Sequence, residues 1–452
     1  MQYSFINGAD TASADINKMF RAFYNGDELY HKLALRARET FVQWDKEIRG
    51  MSPEEAKRKY NIDNLRVLDQ CGSLRLDKGA VLPKYLVDTL QDFKNSGLRD
   101  TQYNIDDEED MKRAEENGLA VKFKDHFGEN PYLREVVGTF DSTSGILAAN
   151  NACLIVATIL REKGVKFITG EAGTIKHLIE KDNGSVEGFL TADGKEHWAA
   201  LSIVACGPWS SSLLPELAGL SEAQNGNVIL IKKPGDRKDL LKKYSSENFP
   251  LVLWKTSKEV EREKFGGIGI FPINSPEGFV KLIVRQRKYN NPTRLSSGTV
   301  TSVPVTSNSK PSETRLSKHI LTQVKQFIKV FLPDLTEFGI YTTRLLWYTD
   351  SINNDFIIDN VPGRKNCVIV TGGSGHGFKF LPVLGQFAVD VIEGNKTEFT
   401  QRFKWRDPKD HYDVNTISTV LTGEAAYYDQ ELATDEDLKF TEEELKSPVK
   451  LT

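Results

Sequence analysis

Residues 368–387, VIVTGGSGHGFKFLPVLGQF, constrain the fold more than any other part of the chain. A β-branched apolar run enters a loop holding Gly372, Gly373, Gly375 and Gly377, and an apolar segment follows. The pattern predicts a strand, a glycine loop and a helix, a unit of nucleotide-binding α/β sheets. Glycines let a backbone approach a ligand closely, and a helix N-terminus presents unpaired N–H groups to an anion. Glycine content alone is equally compatible with a tightly packed structural turn.

The remainder of the chain is interleaved around this unit. At 452 residues it exceeds one ordinary core, so two domains are expected. Residues 16–48 read as mostly helical, and 97–118 as a polar loop with a surface helix. GILAANNACLIVATILREKG predicts a helix, VKFIT a strand, residues 174–200 a meander, and LSIVAC a buried strand running into GPWSSSLLP. From 228 to 348 the chain looks β-rich, interrupted by one helix near 313–331. The expected fold class is α/β plus β, a Rossmann-like domain with an inserted antiparallel-sheet domain. Segments 1–75, 139–225 and 340–428 are assigned to the first, 76–138 and 226–339 to the second, and 429–452 to an acidic tail.

Composition removes several function classes. The net charge of -4 leaves no electrostatic footprint for nucleic acid. The basic cluster from Lys232 to Lys243 is interrupted by Asp236 and Asp239, and reads as a solvated helix with its lead-in loop. Cys71, Cys153, Cys206 and Cys367 form no CxxC pair and no metal-ligand spacing, so no metal is expected. No apolar stretch is long enough to span a bilayer. The polar N-terminus and the terminal KLT, which is not SKL, leave a cytoplasmic location as the expectation.

GGSGHGFKFLPVLG resembles the C-terminal flavin loop of the FAD-dependent amine oxidase family of sarcosine oxidase, fructosyl amino acid oxidase (amadoriase) and fungal saccharopine and L-pipecolate oxidases. ASADINKMFRAFY at 12–24, VACGPWSSSLLPEL at 204–217 and RLLWYTDSINNDFIIDNVPG at 344–363 resemble further segments of that family, in its order. The family opens with a strand, a GxGxxG turn and a helix. That unit is not found here, so an N-terminally truncated FAD-binding domain lacking its first βαβ unit is expected. The resemblance implies FAD, a small amino-acid substrate, O2 as acceptor, and a monomer. Some family members carry a flavin-linking cysteine where this chain has Leu346, so non-covalent FAD is expected.

What the resemblance implies for single residues goes beyond their pattern. Lys281, in GFVKLIVRQRKY, shares a strand face with Phe279, Ile283, Arg285 and Arg287, and pattern alone allows a solvent-facing charge. The family places an oxygen-activating lysine there. Lys379, Arg285 and Arg21 are implied to bind substrate. Ser13, Asn17, Lys18, Met19, Thr174, Gly207, Trp209, Gly373, Ser374, Gly375, His376, Gly377, Phe378 and Lys379 are implied to hold the cofactor. Without the resemblance, Lys18 and Arg21 read equally well as surface residues of a helix, and Trp209 and Trp347 as core. Fructosyl amino acid oxidases carry an acid four positions after the lysine, where this chain has Arg285, and a cation there suits a carboxylate. The implied reaction is oxidation of a secondary amine to an imine with H2O2 production, with saccharopine as first substrate and a fructosyl amino acid as alternative. A dehydrogenase of the same fold, or a non-catalytic remnant with weak FAD binding, is the rival reading.

Overall fold

The structure is a computed structural model that describes residues 11–123, 136–231, 235–255, 267–274, 278–285, 288–306, 315–407 and 426–447. Arg287, Lys232 and Lys233 lie outside the described residues. An eight-stranded mixed sheet dominates. Its order is Ile340–Ser351, Ser221–Ile231, Val280–Val284, Ile268–Phe271, Leu251–Trp254, Ser73–Lys78, Val136–Asp141 and Gln102–Asn104. One neighbouring pair, Leu251–Trp254 with Ser73–Lys78, runs parallel, so the sheet expected to be antiparallel is mixed. The last strand, Ile340–Ser351, belongs to this sheet although its sequence neighbours suggested the other domain.

Alternation along these strands sends Leu74, Leu76, Ile229, Ile231, Val252, Trp254, Leu282 and Val284 into the largest core. The helix Lys318–Phe331 closes that core with Ile320, Leu321, Val324, Phe327, Ile328 and Phe331, a 3-4 spaced face. Ser317 caps its N-terminus by accepting from the Ile320 amide at 3.3 Å. Residues 429–447 of the acidic tail lie against the large core. Leu432, Leu438 and Phe440 pack on the same core, and Glu444 pairs with the buried Lys325 at 2.7 Å. Apolar residues spaced between the acids give this acidic segment its hold on the core.

The second layer carries the glycine loop. Cys367–Thr371 pairs in parallel with Ser202–Val204 and antiparallel with Ile357–Asn360. The helix Ala149–Glu162 and the three-stranded meander Ile175–Glu180, Val186–Thr191 and Glu196–Trp198 follow the sequence reading. VKFIT does not, for residues 165–169 are in no strand, and Val165 and Ile168 are exposed. The segment 16–27 also departs from its expected helix. Lys18–Phe20 is a strand paired with Gly145–Leu147, and the helix starts at Glu28, where Asp27 caps the Tyr30 amide at 3.2 Å. Tyr30, Leu33, Ala34, Ala37, Phe41 and Ile48 form its buried stripe, and Gly50 ends it.

Candidate functional site

The strand Lys18–Phe20 and the glycine loop bring their residues against one face of the large sheet. Register places Arg75, Leu253, Gly269 and Ile283 in a row across four strands. Side chains alternate along a strand, so Lys281 shares the face of Ile283. It is 1% exposed, which excludes a solvent-facing charge. Its Nζ donates to Asp15 Oδ2 at 2.6 Å, to the Asn17 carbonyl at 2.8 Å and to Asn17 Oδ1 at 3.1 Å. Asp15 Oδ2 also accepts from Lys18 at 2.8 Å, so one buried carboxylate bridges two ammonium groups. Burial lowers the Lys281 pKa to about 8, against the pull of Asp15. Burial alone would raise the Asp15 carboxyl, but the two lysines together hold it below its ordinary value.

Around the glycine loop the backbone is tight. Gly372 (φ +76°) would set a Cβ 2.9 Å from the Asp355 carbonyl oxygen, and Gly375 (φ +68°) would set one 2.5 Å from Arg285 Nη2. Only glycine meets both conditions at each position. Ser374 is buried at φ 44°, donates its amide to the Thr349 carbonyl at 2.6 Å and accepts at its own carbonyl from Arg285 at 3.4 Å. The loop does not lead straight into a helix. A short 3-10 turn, Phe378–Phe380, intervenes and the helix begins only at Leu384.

His376 Nε2 lies 2.9 Å from the Asn354 carbonyl, which can only accept, so Nε2 carries the proton. Burial, with Lys379 second, holds the ring well below its ordinary pKa and neutral. Nδ1 therefore accepts from the Tyr24 hydroxyl at 3.0 Å. With both nitrogens engaged, His376 orients Tyr24 and the loop; it is not poised as a base.

Three cations converge beside that histidine. Lys379 is 3% exposed, its Nζ 4.7 Å from the centre of the Tyr24 ring. The half-buried Arg21 guanidinium lies 4.7 Å from the same ring and donates to the Phe23 carbonyl. Burial, then repulsion from Arg21 and Arg285, lowers the Lys379 pKa well below its ordinary value. No carboxylate forms an ion pair with Lys379, Arg21 or Arg285 among the described residues. Lys18 and Lys281, in contrast, share Asp15. Like charges gathered without counter-charge disfavour the empty site and favour an anion within it.

The other expected residues fall in different places. Met19 packs with Cys71, Ile146, Leu251 and Phe271 under the sheet face, and Phe378 packs beside Phe20 and Phe41. Asn17 is buried and joins Asn274 at 2.9 Å, and Ser13 meets Thr11 at 3.2 Å. Gly207 (φ +53°) begins the turn that carries Trp209, and its carbonyl accepts from Thr371 at 3.5 Å beside the loop. Thr174 is exposed, its amide bonded to Glu171 and its carbonyl to Ala192. Trp347 is a core residue, donating to the Val305 carbonyl at 2.7 Å. Leu346 packs with Val228 and Leu230.

Sequence reasoning missed Asp15, Tyr24 and Arg75. Asp15 and Tyr24 stand inside the quoted segment ASADINKMFRAFY and could have been drawn from it. Arg75 carries no local signal. Among the described residues, no group of His, Cys, Asp and Glu could hold a metal and no helix is long and apolar enough to cross a membrane.

This donor set suits the flavin that the resemblance implies. Donors outnumber acceptors on Lys379, Arg21 and Arg285. The hydroxyls of Ser210, Ser211 and Ser212, following the Gly207–Trp209 turn, are buried and find no partner among the described residues. A ring that gains negative charge on reduction and offers carbonyl acceptors fits such a site.

Comparison with known proteins agrees. L-saccharopine oxidase of Schizosaccharomyces pombe is 25% identical over 410 residues, covering 88% of this chain and 84% of that protein. N-methyl-L-tryptophan oxidase of Salmonella heidelberg is 28% identical over 264 residues, covering 58% and 61%. Among solved structures, a modified fructosyl peptide oxidase from Aspergillus nidulans superposes with a TM-score of 0.71 at 22% identity, covering 93% of this chain and 89% of that one. Amadoriase II of Aspergillus fumigatus gives 0.65 at 23% identity, covering 88% and 81%. The family described as FAD dependent oxidoreductase (DAO) matches residues 7–391, and with that match over most of its length the chain belongs to this family.

Proposed function

We propose that this chain oxidises the secondary amine of an N-substituted amino acid, with a saccharopine-like substrate first, and that O2 accepts the electrons to give H2O2. FAD, when bound, would take a hydride from the carbon beside nitrogen and deliver the electron pair to O2. Lys18, Met19 and residues 373–379 are the groups that would hold its ring system. Lys379, Arg21 and Arg285 bind and orient the substrate carboxylate, which fixes the reacting carbon in place. The product imine adds water and separates into a carbonyl compound and an amine. Lys281 holds positive charge in a buried setting, where it favours reduction of O2.

The observation that carries this reading is the cluster of Lys379, Arg21 and Arg285 beside the glycine loop, with which no carboxylate among the described residues pairs. Arg285 favours a saccharopine-like substrate over a fructosyl amine, for a cation there attracts a further carboxylate where the sugar offers none. Purified protein saturated with FAD should lose its yellow colour under anaerobic mixing with saccharopine, and form H2O2 once air is admitted. Bleaching by fructosyl valine but not by saccharopine would reverse the substrate order. No bleaching by either favours the non-catalytic reading.

A further inference from the structure

Arg75 sits at the centre of Ser73–Lys78, on the sheet face that carries Lys281, and is 6% exposed. Its guanidinium stacks 4.0 Å from the centre of the Phe23 ring, and Arg21 lies 4.7 Å from that same centre. The two guanidinium groups are thus no farther apart than the sum of those distances. Arg75 donates to Thr89 Oγ1 at 3.0 Å and Asn25 Oδ1 at 3.2 Å, both neutral acceptors. No carboxylate forms an ion pair with it among the described residues. The carboxylate that acts on it from a distance, Asp141, already accepts from Gln102, Thr143 and Ser144. Burial draws the Arg75 pKa down to about 9, with Arg21 adding repulsion. A structural guanidinium in such a place is normally paired. Here one of its two acceptors, Asn25, is exposed.

Arg75 and the carboxylate-binding cluster meet at Phe23, whose ring both Arg75 and Arg21 approach. Sarcosine or pipecolate carries one carboxylate and cannot serve both groups. A secondary amine with an acid on each N-substituent can place one carboxylate on the cluster and one on Arg75.

We propose that Arg75 is a specificity-determining residue that binds the distal carboxylate of a secondary amine bearing a carboxylate on both N-substituents. This rests on the amine-oxidase reading above. Arg75 stands apart from the reacting carbon, so its loss should raise half-saturation and spare the limiting rate of flavin reduction.

The test compares two substrates, saccharopine and an analogue whose distal carboxylate is a carboxamide, by anaerobic flavin reduction in the FAD-loaded enzyme. Wild type should favour saccharopine over the carboxamide by about ten- to a hundredfold in half-saturation, as for a charged hydrogen bond. Arg75→Met should lose that preference while reducing at the same limiting rate, and Arg75→Lys should regain part of it. If Arg75→Met weakens both substrates equally, or leaves the preference intact, the proposal is wrong while the amine-oxidase reading stands. If the variant does not fold, the wild-type ratio decides, and a ratio near one overturns the proposal. Failure of wild type with both substrates removes the amine-oxidase reading and this proposal together.

Discussion

At the scale of single residues, charge without a counter-charge is the informative quantity. Lys281 and Lys379 are both buried, yet among the described residues only Lys281 has a carboxylate beside it. Their variants should fail differently. Lys281→Met should slow reoxidation by O2 about a hundredfold and leave reduction by substrate fast. Lys379→Met should raise half-saturation for reduction and leave reoxidation unchanged. Rapid mixing of each half-reaction separates the two. The pH profile gives a second check. With a folded pKa of about 8, Lys281 is charged below that pH and neutral above it. Wild-type reoxidation should fall as pH rises through about 8, and Lys281→Met should be flat there. For stability the sign is the reverse. The native state binds fewer protons than the unfolded chain between pH about 8 and 10.5, so the cost of burying this ammonium is full below 8 and relieved as pH rises toward 10.5. Leu346, packed against Val228 and Leu230, supports a third expectation. Acid precipitation should release all flavin to the supernatant, and colour retained in the pellet would mean another attachment residue.

At the scale of elements, the glycine loop was legible because its constraint is local. Strand, positive-φ glycines and close backbone approach all leave a mark in sequence. Gly372→Ala should cost about 1–3 kcal/mol, combining strain at φ +76° with a Cβ 2.9 Å from the Asp355 carbonyl. Gly385→Ala, in Leu384–Glu393 with open space around it, should stabilise by about 0.5–1 kcal/mol. Thermal melts of the two should move in opposite directions, and a shift of equal sign would refute the strain argument. The strand Lys18–Phe20 was not legible. It has three residues and exists because Gly145–Leu147 supplies its partner more than a hundred positions later. VKFIT shows the converse, a strong local β pattern with no strand in the structure, since a strand is defined by its neighbour as well as by its propensity.

At the scale of the whole molecule, the core under the large sheet extends to the far end of the chain. Lys325 is 6% exposed and its partner Glu444 is acidic-tail sequence. Glu444→Ala should leave a buried ammonium unpaired and cost about 1–3 kcal/mol. Lys325→Met combined with Glu444→Ala should recover most of it, and calorimetric melting of the four proteins measures the coupling. If FAD binds the native state as proposed, its addition at a hundredfold over Kd should stabilise by about 2.7 kcal/mol and raise Tm.

Sequence by itself determined the alternation of α/β and β segments, the glycine loop and the identity of Lys281 and Lys379 as candidates. The first two rest on periodicity and glycine conformations, and the two lysines on resemblance to a known family rather than on their own pattern. Tertiary structure alone decided that Lys281 is buried and shares Asp15, that His376 is neutral and structural, and that Arg75 joins Arg21 across Phe23. Those facts depend on charges from separate segments meeting in a space without water. The energy of a buried charge is set by what surrounds it, and its surroundings are assembled only by the fold.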